Sequence, residues 1–280
     1  MSAELPVRGG RVRRRGGPRR ASGGFSPRRA LAALVMLAAA GATWGVVASP
    51  VFDVTTVEVE GATLTGDDAI RAALALPSPA PNAFVLATDE LRARLLALPA
   101  VADARVSVGL PGTIRARVAE RAPVLAWRRG RSLWLVDRDG RVLADAAAPG
   151  APAAATAADG LPVVEDRRAS GVGQAIGEQV DPLDLDVATR LLSLTPADVG
   201  SSAPALVVAV DDRDGWTVAP DVANPWVAVF GFYGPQVRQP AMIPEQVRSL
   251  RSLLAGREAR MLRVVLAGER EGTFTEKPGS

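Results

Sequence analysis

The chain of 280 residues contains no histidine and no cysteine, and its one lysine, Lys277, stands in a Pro-Gly-Ser tail. That excludes Ser-His-Asp and Cys-His nucleophile systems, imidazole or thiolate metal sites, and disulfides. A Ser/Lys dyad has no suitably placed lysine. Carboxylates remain, and a pair of them flanking a bond can hydrolyse a glycoside. Most Asp and Glu residues here fall at turns and helix starts, however, and no pair stands in a context that marks it as catalytic. Aromatic residues make up 4% of the chain, too few for the apolar platforms a sugar site uses. Asp-Arg-Asp-Gly occurs twice, at 137–140 and 212–215. A calcium loop of the EF-hand kind requires glycine at its sixth position and glutamate at its twelfth. The first copy has Val142 and Ala148 there, and the second has Thr217 and Ala223. Both copies read instead as Asp-Gly turns between strands. No catalytic residue, cofactor or metal is expected.

The elements that would carry any site follow from the apolar spacing. Residues 51–60 read as a strand with a bend near Thr55-Thr56, ended by Gly61. Thr65 and Thr88 read as N-caps of two helices, each followed by two acidic residues, with Pro77 and Pro99 beyond their ends. Ile70, Ala73 and Leu74 mark the buried face of the first helix, and Leu91, Leu95 and Leu98 that of the second. Ala102, Ala104, Val106, Val108 and Leu110 alternate with polar residues, as do Ile114, Ala116 and Val118. Pro111-Gly112 between them predicts a type II turn. Two helices on one face of this sheet make a β-α-α-β-β module. Beyond residue 120 the pattern is mostly β, with residues 146–159 reading as an Ala-Pro-Gly surface loop. One helix is capped by Asp181-Pro182 and another begins at Pro244. Residues 205–210 and 226–232 read as central strands, 261–266 as the last strong strand, and 269–276 as polar with Phe274 its large apolar residue.

Residues 30–49 form an uncharged apolar stretch behind a head with nine arginines and one glutamate. The head carries +8 and the remainder −5, within a total of +3. Twenty residues at about 1.5 Å each can cross a hydrocarbon core of about 30 Å. The positive-inside rule puts the head in the cytoplasm and the bulk outside. A cleavable signal peptide, cut near Val46-Val47-Ala48, is the rival reading. The head alone fills a signal peptide's usual length, which favours an uncleaved anchor. The Arg-Gly-Gly elements of the head lack interleaved aromatics before Phe25, so no nucleic-acid partner is expected.

Three stretches resemble a known family. Phe52-Asp53-Val54 running into Val57-Glu58-Val59-Glu60-Gly61 is similar to the opening of the POTRA domain in the FtsQ/DivIB cell-division proteins. The run from Leu98-Pro99-Ala100-Val101 through Leu110-Pro111-Gly112-Thr113-Ile114 to Glu120-Arg121-Ala122-Pro123 resembles that family's most recognisable part. Leu135-Val136-Asp137-Arg138-Asp139-Gly140 and Leu161-Pro162-Val163-Val164 resemble the start of its β domain. The expected architecture is α+β: a basic cytoplasmic tail (1–29), a single transmembrane helix (30–49), a POTRA-like domain (51–120), a mainly antiparallel β domain with about two helices (121–268) and a C-terminal edge segment (269–280). The resemblance implies a non-enzymatic, single-pass inner-membrane protein of the division septum, whose partners are inner-membrane lipids and FtsB- and FtsL-like bitopic proteins. It would help regulate septal peptidoglycan synthesis. A carboxylate-dependent cell-wall hydrolase is the alternative. The family's docking strands map onto Leu262, Arg263, Val264, Val265, Leu266, Gly272, Thr273, Phe274 and Thr275. Val264-Val265-Leu266-Ala267-Gly268 departs from the more polar strand the family leads one to expect. Independently of the resemblance, an unpaired terminal strand can add a partner strand through its backbone.

Overall fold

The computed structural model describes residues 26–169, 175–266 and 272–278. The basic head up to residue 25 and the start of the C-terminal segment, 267–271, lie outside the described residues. The chain divides into two compact units, Met1–Ser49 and Pro50–Ser280.

The described part of the first unit holds one helix, α1 (Pro27–Val47). It starts ahead of the uncharged stretch because Ser26 caps it and Pro27 takes the first helical position, where its missing N–H is no loss. Its most apolar 18-residue stretch has a mean hydropathy of 2.0, and among the described residues it is the one helix long and apolar enough to cross a membrane.

The second unit opens with a three-stranded sheet and two helices: β1 (Thr56–Glu60), α2 (Asp67–Leu74), α3 (Thr88–Leu96), β2 (Val101–Gly109) and β3 (Thr113–Glu120). The strand order is β1-β3-β2, with β1 parallel and β2 antiparallel to β3. Ile70, Leu74, Leu91 and Leu95 from the helices meet Ala104, Ile114, Ala116 and Val118 from the sheet in one buried cluster. The opposite face is charged: Arg115 pairs with Glu58 at 2.8 Å and Arg117 with Glu60 at 2.6 Å.

Several local expectations are corrected here. Residues 50–52 form a turn of 3-10 helix, and the strand begins only at Thr56, so Val57 and Val59 share its inward face. Gly66, not Thr65, occupies the N-cap of α2, and Thr88 is the first residue of α3, behind Ala87. Thr65 is held elsewhere, its backbone N–H donating to Glu120 at 2.7 Å. The turn after Leu110 is not type II, because Gly112 lacks the positive φ that type II requires at its third position. Gly112 is needed for space rather than for a positive φ: a Cβ there would stand 2.1 Å from the Asp53 carbonyl oxygen.

The remaining elements are β4 (Pro123–Arg129), β5 (Ser132–Asp137), β6 (Val142–Asp145), α4 (Pro152–Ala158), β7 (Val163–Asp166), α5 (Pro182–Leu192), α6 (Pro196–Val199), β8 (Leu206–Asp211), β9 (Gly215–Pro220), β10 (Val227–Gly231), α7 (Ile243–Leu254), β11 (Met261–Leu266) and β12 (Gly272–Glu276). The strands form one sheet in the order β12-β11-β10-β9-β8-β7-β4-β5-β6. Antiparallel neighbours outnumber parallel ones, the parallel pairs being β4–β7, β7–β8 and β10–β11. Helix α4 replaces the expected loop at 146–159, because Ala154 is buried against Ala126, Leu135 and Leu143. On the other face, Val187 and Leu191 of α5 and Leu250 and Leu254 of α7 close over Trp127, Val164, Trp216 and Phe230. The two tryptophans meet edge to face at 6.0 Å.

One acid is enclosed within this second core. Asp166 accepts from Trp127 Nε1 at 3.1 Å and pairs with Arg168 at 2.9 Å, and Arg168 reaches Asp184 of α5 at 2.7 Å. Burial works against ionisation of Asp166, but the bonds from Arg168 and Trp127 prevail and hold its carboxyl below the usual range. The cluster ties β7 to α5.

Leu95 is fully buried between α2, α3 and the small sheet. Leu95→Ala is expected to lower unfolding stability by about 2–5 kcal/mol through lost transfer energy and a residual cavity. Urea denaturation of the purified protein measures it, and a loss below about 0.5 kcal/mol, the level of an exposed site, would contradict the packing described.

Candidate partner-docking edge

A β-sheet leaves backbone N–H and C=O groups unpaired only along its outermost strands. Among the described residues the two sheets have four such edges, and three of them are guarded. Beside β6, residues 177–179 run as a covering segment: Val142 N–H donates to Glu178 at 2.9 Å and Gly177 N–H to Val142 at 2.8 Å. Beside β2, Arg92 of α3 donates from Nε to the Ala104 carbonyl at 2.7 Å and from Nη2 to Asp103 at 3.1 Å. β1 is five residues long and carries Glu58 and Glu60, charges that discourage edge pairing. The fourth edge is β12. Its sequence is Gly-Thr-Phe-Thr-Glu, and its last four residues are exposed.

The nine residues mapped to docking divide between two unlike strands. β11 lies between β10 and β12, so Leu262, Arg263, Val264, Val265 and Leu266 sit on an interior strand rather than an edge. Val264 and Leu266 are buried in the core. Val265 pairs with Val229 on one side and Thr273 on the other, so proline there would break the sheet itself. Within β11, Leu262 is exposed, beside the irregularity in the β11–β12 register. Thr273, Phe274 and Thr275 are exposed on β12, and Gly272 is half-buried. Phe274 stands opposite Val264, and Arg257 lies over its ring at 5.8 Å, a cation–π contact that holds the ring at the rim.

Four groups that sequence reasoning missed hold this hairpin in place. Gln246 is fully buried on α7 and donates from Nε2 to the carbonyls of Phe230 and Leu266, both at 3.1 Å. It thereby clamps the ends of β10 and β11 together, and it accepts from the Tyr233 hydroxyl at 2.7 Å. Burial raises the pKa of that tyrosine, which keeps it a donor. Its signal was a polar residue at a core-facing position of an apolar stripe. Glu258 accepts from Trp226 Nε1 at 3.1 Å, from the Ser202 N–H at 3.0 Å and from the Ser201 hydroxyl. Burial opposes its ionisation, but those donors win and its pKa is lowered. Lys277, read as an idle tail residue, donates from Nζ to the Asn224 carbonyl at 2.9 Å and from its backbone to Arg260 at 2.7 Å. It fastens the end of β12.

The fourth group explains the repeated Asp-Arg-Asp-Gly. Both copies are turns between antiparallel strands, β5–β6 and β8–β9. Among the described residues, no cluster of three or more acidic side chains could hold a metal. Each turn also clamps an arginine. Asp137 takes Arg121 at 3.0 Å where the two sheets join, and Asp214 takes Arg263 of β11 through both oxygens, at 3.0 and 2.6 Å. The bonds from Arg263 hold the Asp214 carboxyl below its ordinary value.

Comparison with known proteins follows the same division of the chain. Residues 52–121 match the POTRA domain of FtsQ type. The FtsQ cell-division protein of Chloroflexus aurantiacus is 33% identical over 177 residues, covering 63% of this chain and 61% of that protein. That of Chloroflexus aggregans is 32% identical over 189 residues, 65% of each chain. That of Cereibacter sphaeroides is 42% identical over 114 residues, covering 39% of this chain and 37% of that protein. The matches thus span less than two thirds of these relatives' own length.

Because Asp214 has a lowered folded-state pKa, its contribution to stability is present above the unfolded carboxylate value near 3.8 and is lost as pH falls through the lower folded value. Asp214→Asn should therefore be less stable than the parent by about 1–2 kcal/mol at pH 7, a partly exposed charged pair. The gap should close as the pH drops below the unfolded value. Urea unfolding of both proteins across that range tests it, and a gap unchanged by acid would refute the ion-pair account.

Over residues 52–121 the chain is thus similar to the FtsQ-type POTRA domain, and over longer stretches, at 32–42% identity, to FtsQ cell-division proteins, with an apolar helix preceding the domain.

Proposed function

We propose that this protein is a membrane-anchored, non-enzymatic component of the cell-division machinery, which captures small bitopic partners of the FtsB and FtsL kind at the septum. Through them it helps regulate septal peptidoglycan synthesis. On this reading α1 is an uncleaved anchor with its basic head in the cytoplasm. The second unit lies on the far side of the membrane. The observation that carries the proposal is β12, an exposed strand whose outer edge meets no other strand among the described residues, while the sheet behind it is braced at both ends.

A partner segment adding to β12 gains backbone hydrogen bonds along the edge, and register comes from side chains. Phe274 and Leu262 offer apolar contact, with the Arg257 guanidinium over the Phe274 ring and the Glu276 carboxylate at the end of the strand beside them. The enclosed carboxylates support the non-enzymatic reading over a wall hydrolase. Asp137, Asp166, Asp214, Glu120 and Glu258 are each occupied by arginines, backbone N–H groups, hydroxyls or an indole.

Neighbouring N–H groups in a strand point to opposite sides. Of Thr273→Pro and Phe274→Pro, one therefore removes a donor from the free edge and the other removes a rung to β11. The first variant should keep its melting temperature and lose partner binding by about tenfold, the worth of one or two hydrogen bonds. Binding of FtsB- and FtsL-like proteins from the same cell to the full chain in nanodiscs provides the measurement. Parental affinity in both folded variants would place docking elsewhere.

A further inference from the structure

We propose that one pole of the POTRA domain, formed by Val51, Phe84, Val85 and Leu110, rests in the interfacial layer of the lipid bilayer. The anchor reading of α1 underlies this proposal.

Three separate segments build the pole. Phe52 and Phe84 pack ring against ring, with centroids 5.1 Å apart. Asp53 bridges to Asn82, and Val54 N–H donates to the Pro81 carbonyl at 3.0 Å. The turn at 109–113 closes against the same segment, because the Gly112 carbonyl accepts from Thr55 at 2.8 Å and from Thr56 at 3.2 Å. These contacts bring the exposed side chains to one end of the domain: Val51 is 66% exposed, Phe84 47%, Val85 73% and Leu110 61%. Outside α1, eleven large apolar side chains among the described residues are exposed, and four of them gather here. A cluster of that kind marks a surface that meets something other than water.

Charge distinguishes lipid from other occupants. Segments 50–55, 75–87 and 109–113 together hold 24 residues and one charge, Asp53, in a chain that is 22% charged. The rest of the domain is densely charged on its exposed faces, with Asp67, Asp68 and Arg71 on α2 and Glu58, Glu60, Arg115 and Arg117 on the sheet. A protein interface usually has a polar, hydrogen-bonding rim. At its border the guanidinium of Arg94 reaches the Ala75 carbonyl at 3.4 Å and that of Arg115 stands beside Gly109, and a surface of prolines, small residues and phenylalanines bounded by arginines suits the boundary between headgroups and acyl chains. The chain itself supplies the location. Val51 follows the last residue of α1 by four positions, a contour of at most about 14 Å. Wherever the anchor leaves the bilayer, the pole begins within that reach.

The absence of native cysteine makes single-site labelling clean. The full chain carrying Val85→Cys or Leu110→Cys is labelled with a nitrobenzoxadiazole fluorophore. It is reconstituted in vesicles of phosphatidylethanolamine and phosphatidylglycerol, with nitroxide lipids at headgroup or mid-chain depth. Met36→Cys in α1 reports the anchor. Ala102→Cys, exposed at the far end of β2 and about 27 Å along the strand from Leu110, is the control. Labels at 85 and 110 are expected to shift to the blue and lose most of their emission to headgroup-depth nitroxides, while the label at 102 does neither. The mid-chain nitroxide should quench the label at 36. If 36 is quenched while 85 and 110 behave like 102, the pole stands clear of the membrane and the proposal fails with the anchor intact. If 36 escapes quenching, the anchor reading falls and takes the proposal with it. Shielding of 85 and 110 that arises only when a partner protein is added would overturn lipid contact in favour of a protein interface.

Discussion

A strand whose outer N–H and C=O groups meet no other strand must give them to water or to another chain, and among the described residues β12 is such a strand, at the end of the nine-stranded sheet. The other edges are disposed of by different means: a covering segment beside β6, the Arg92 guanidinium on β2, and acidic side chains on β1. Each device answers the general hazard of an open sheet, which is uncontrolled pairing with other strands. Among the described residues β12 has no such cover, yet its immediate neighbours are pinned by Gln246, Asp214 and Lys277, which separates it from a frayed terminus.

The joint between the two sheets obeys the same requirement. Glu120, the last residue of β3, turns its carboxylate onto three donors: the N–H groups of Leu64 at 2.6 Å and Thr65 at 2.7 Å, and the Thr63 hydroxyl at 2.7 Å. Burial there resists the charge, but the donors outweigh it and the carboxyl stays ionised below its ordinary range. The next residue, Arg121, donates its N–H to Ala100 at 2.7 Å and its guanidinium to Asp137. Leu64 and Ala100 then join the apolar cluster under α4. The POTRA domain and the large sheet are thus connected by charge-assisted bonds as well as by apolar contact, and one Asp-Arg-Asp-Gly turn supplies the acid at the junction.

Much of this was legible in the residues. The alternation from 104 to 118, the capped helix at Asp181-Pro182 and the identity of both Asp-Gly turns follow from local rules, and so does the α+β class. Ala102, expected on the apolar face, is exposed because the register of β2 shifts between Val101 and Asp103. What escaped was non-local. α4 looks like a loop because Ala-rich, Pro-interrupted sequence carries no strong periodicity, and only the sheet face above Ala154 makes it a helix worth forming. Thr65 is a good cap by type, yet Glu120, 55 positions away, claims its backbone and moves the helix start to Asp67. The unbroken Val264-Val265-Leu266 run speaks of burial of the faces of β11 and not of pairing at its edges, so its interior position comes from the sheet order alone. The edge belongs to the less apolar strand that follows. Gln246 and Lys277 act on backbone carbonyls far away in sequence, which no spacing rule reveals.

The size of β12 limits what strand addition alone can do. Five residues present alternate groups to the outside, so a partner gains on the order of four or five backbone bonds, each worth about 1 kcal/mol net. A total near 5 kcal/mol corresponds to sub-millimolar binding before the entropy of ordering the partner is subtracted. The edge therefore supplies register and direction, and affinity has to come from elsewhere. Side-chain contacts around Phe274 and Leu262 are one source. Confinement is the other: a partner tethered in the same membrane meets the edge at an effective concentration that can reach the millimolar range. On the proposed reading the anchor is then more than a means of localisation. It raises the local concentration of partner to the level at which so short an edge can be occupied.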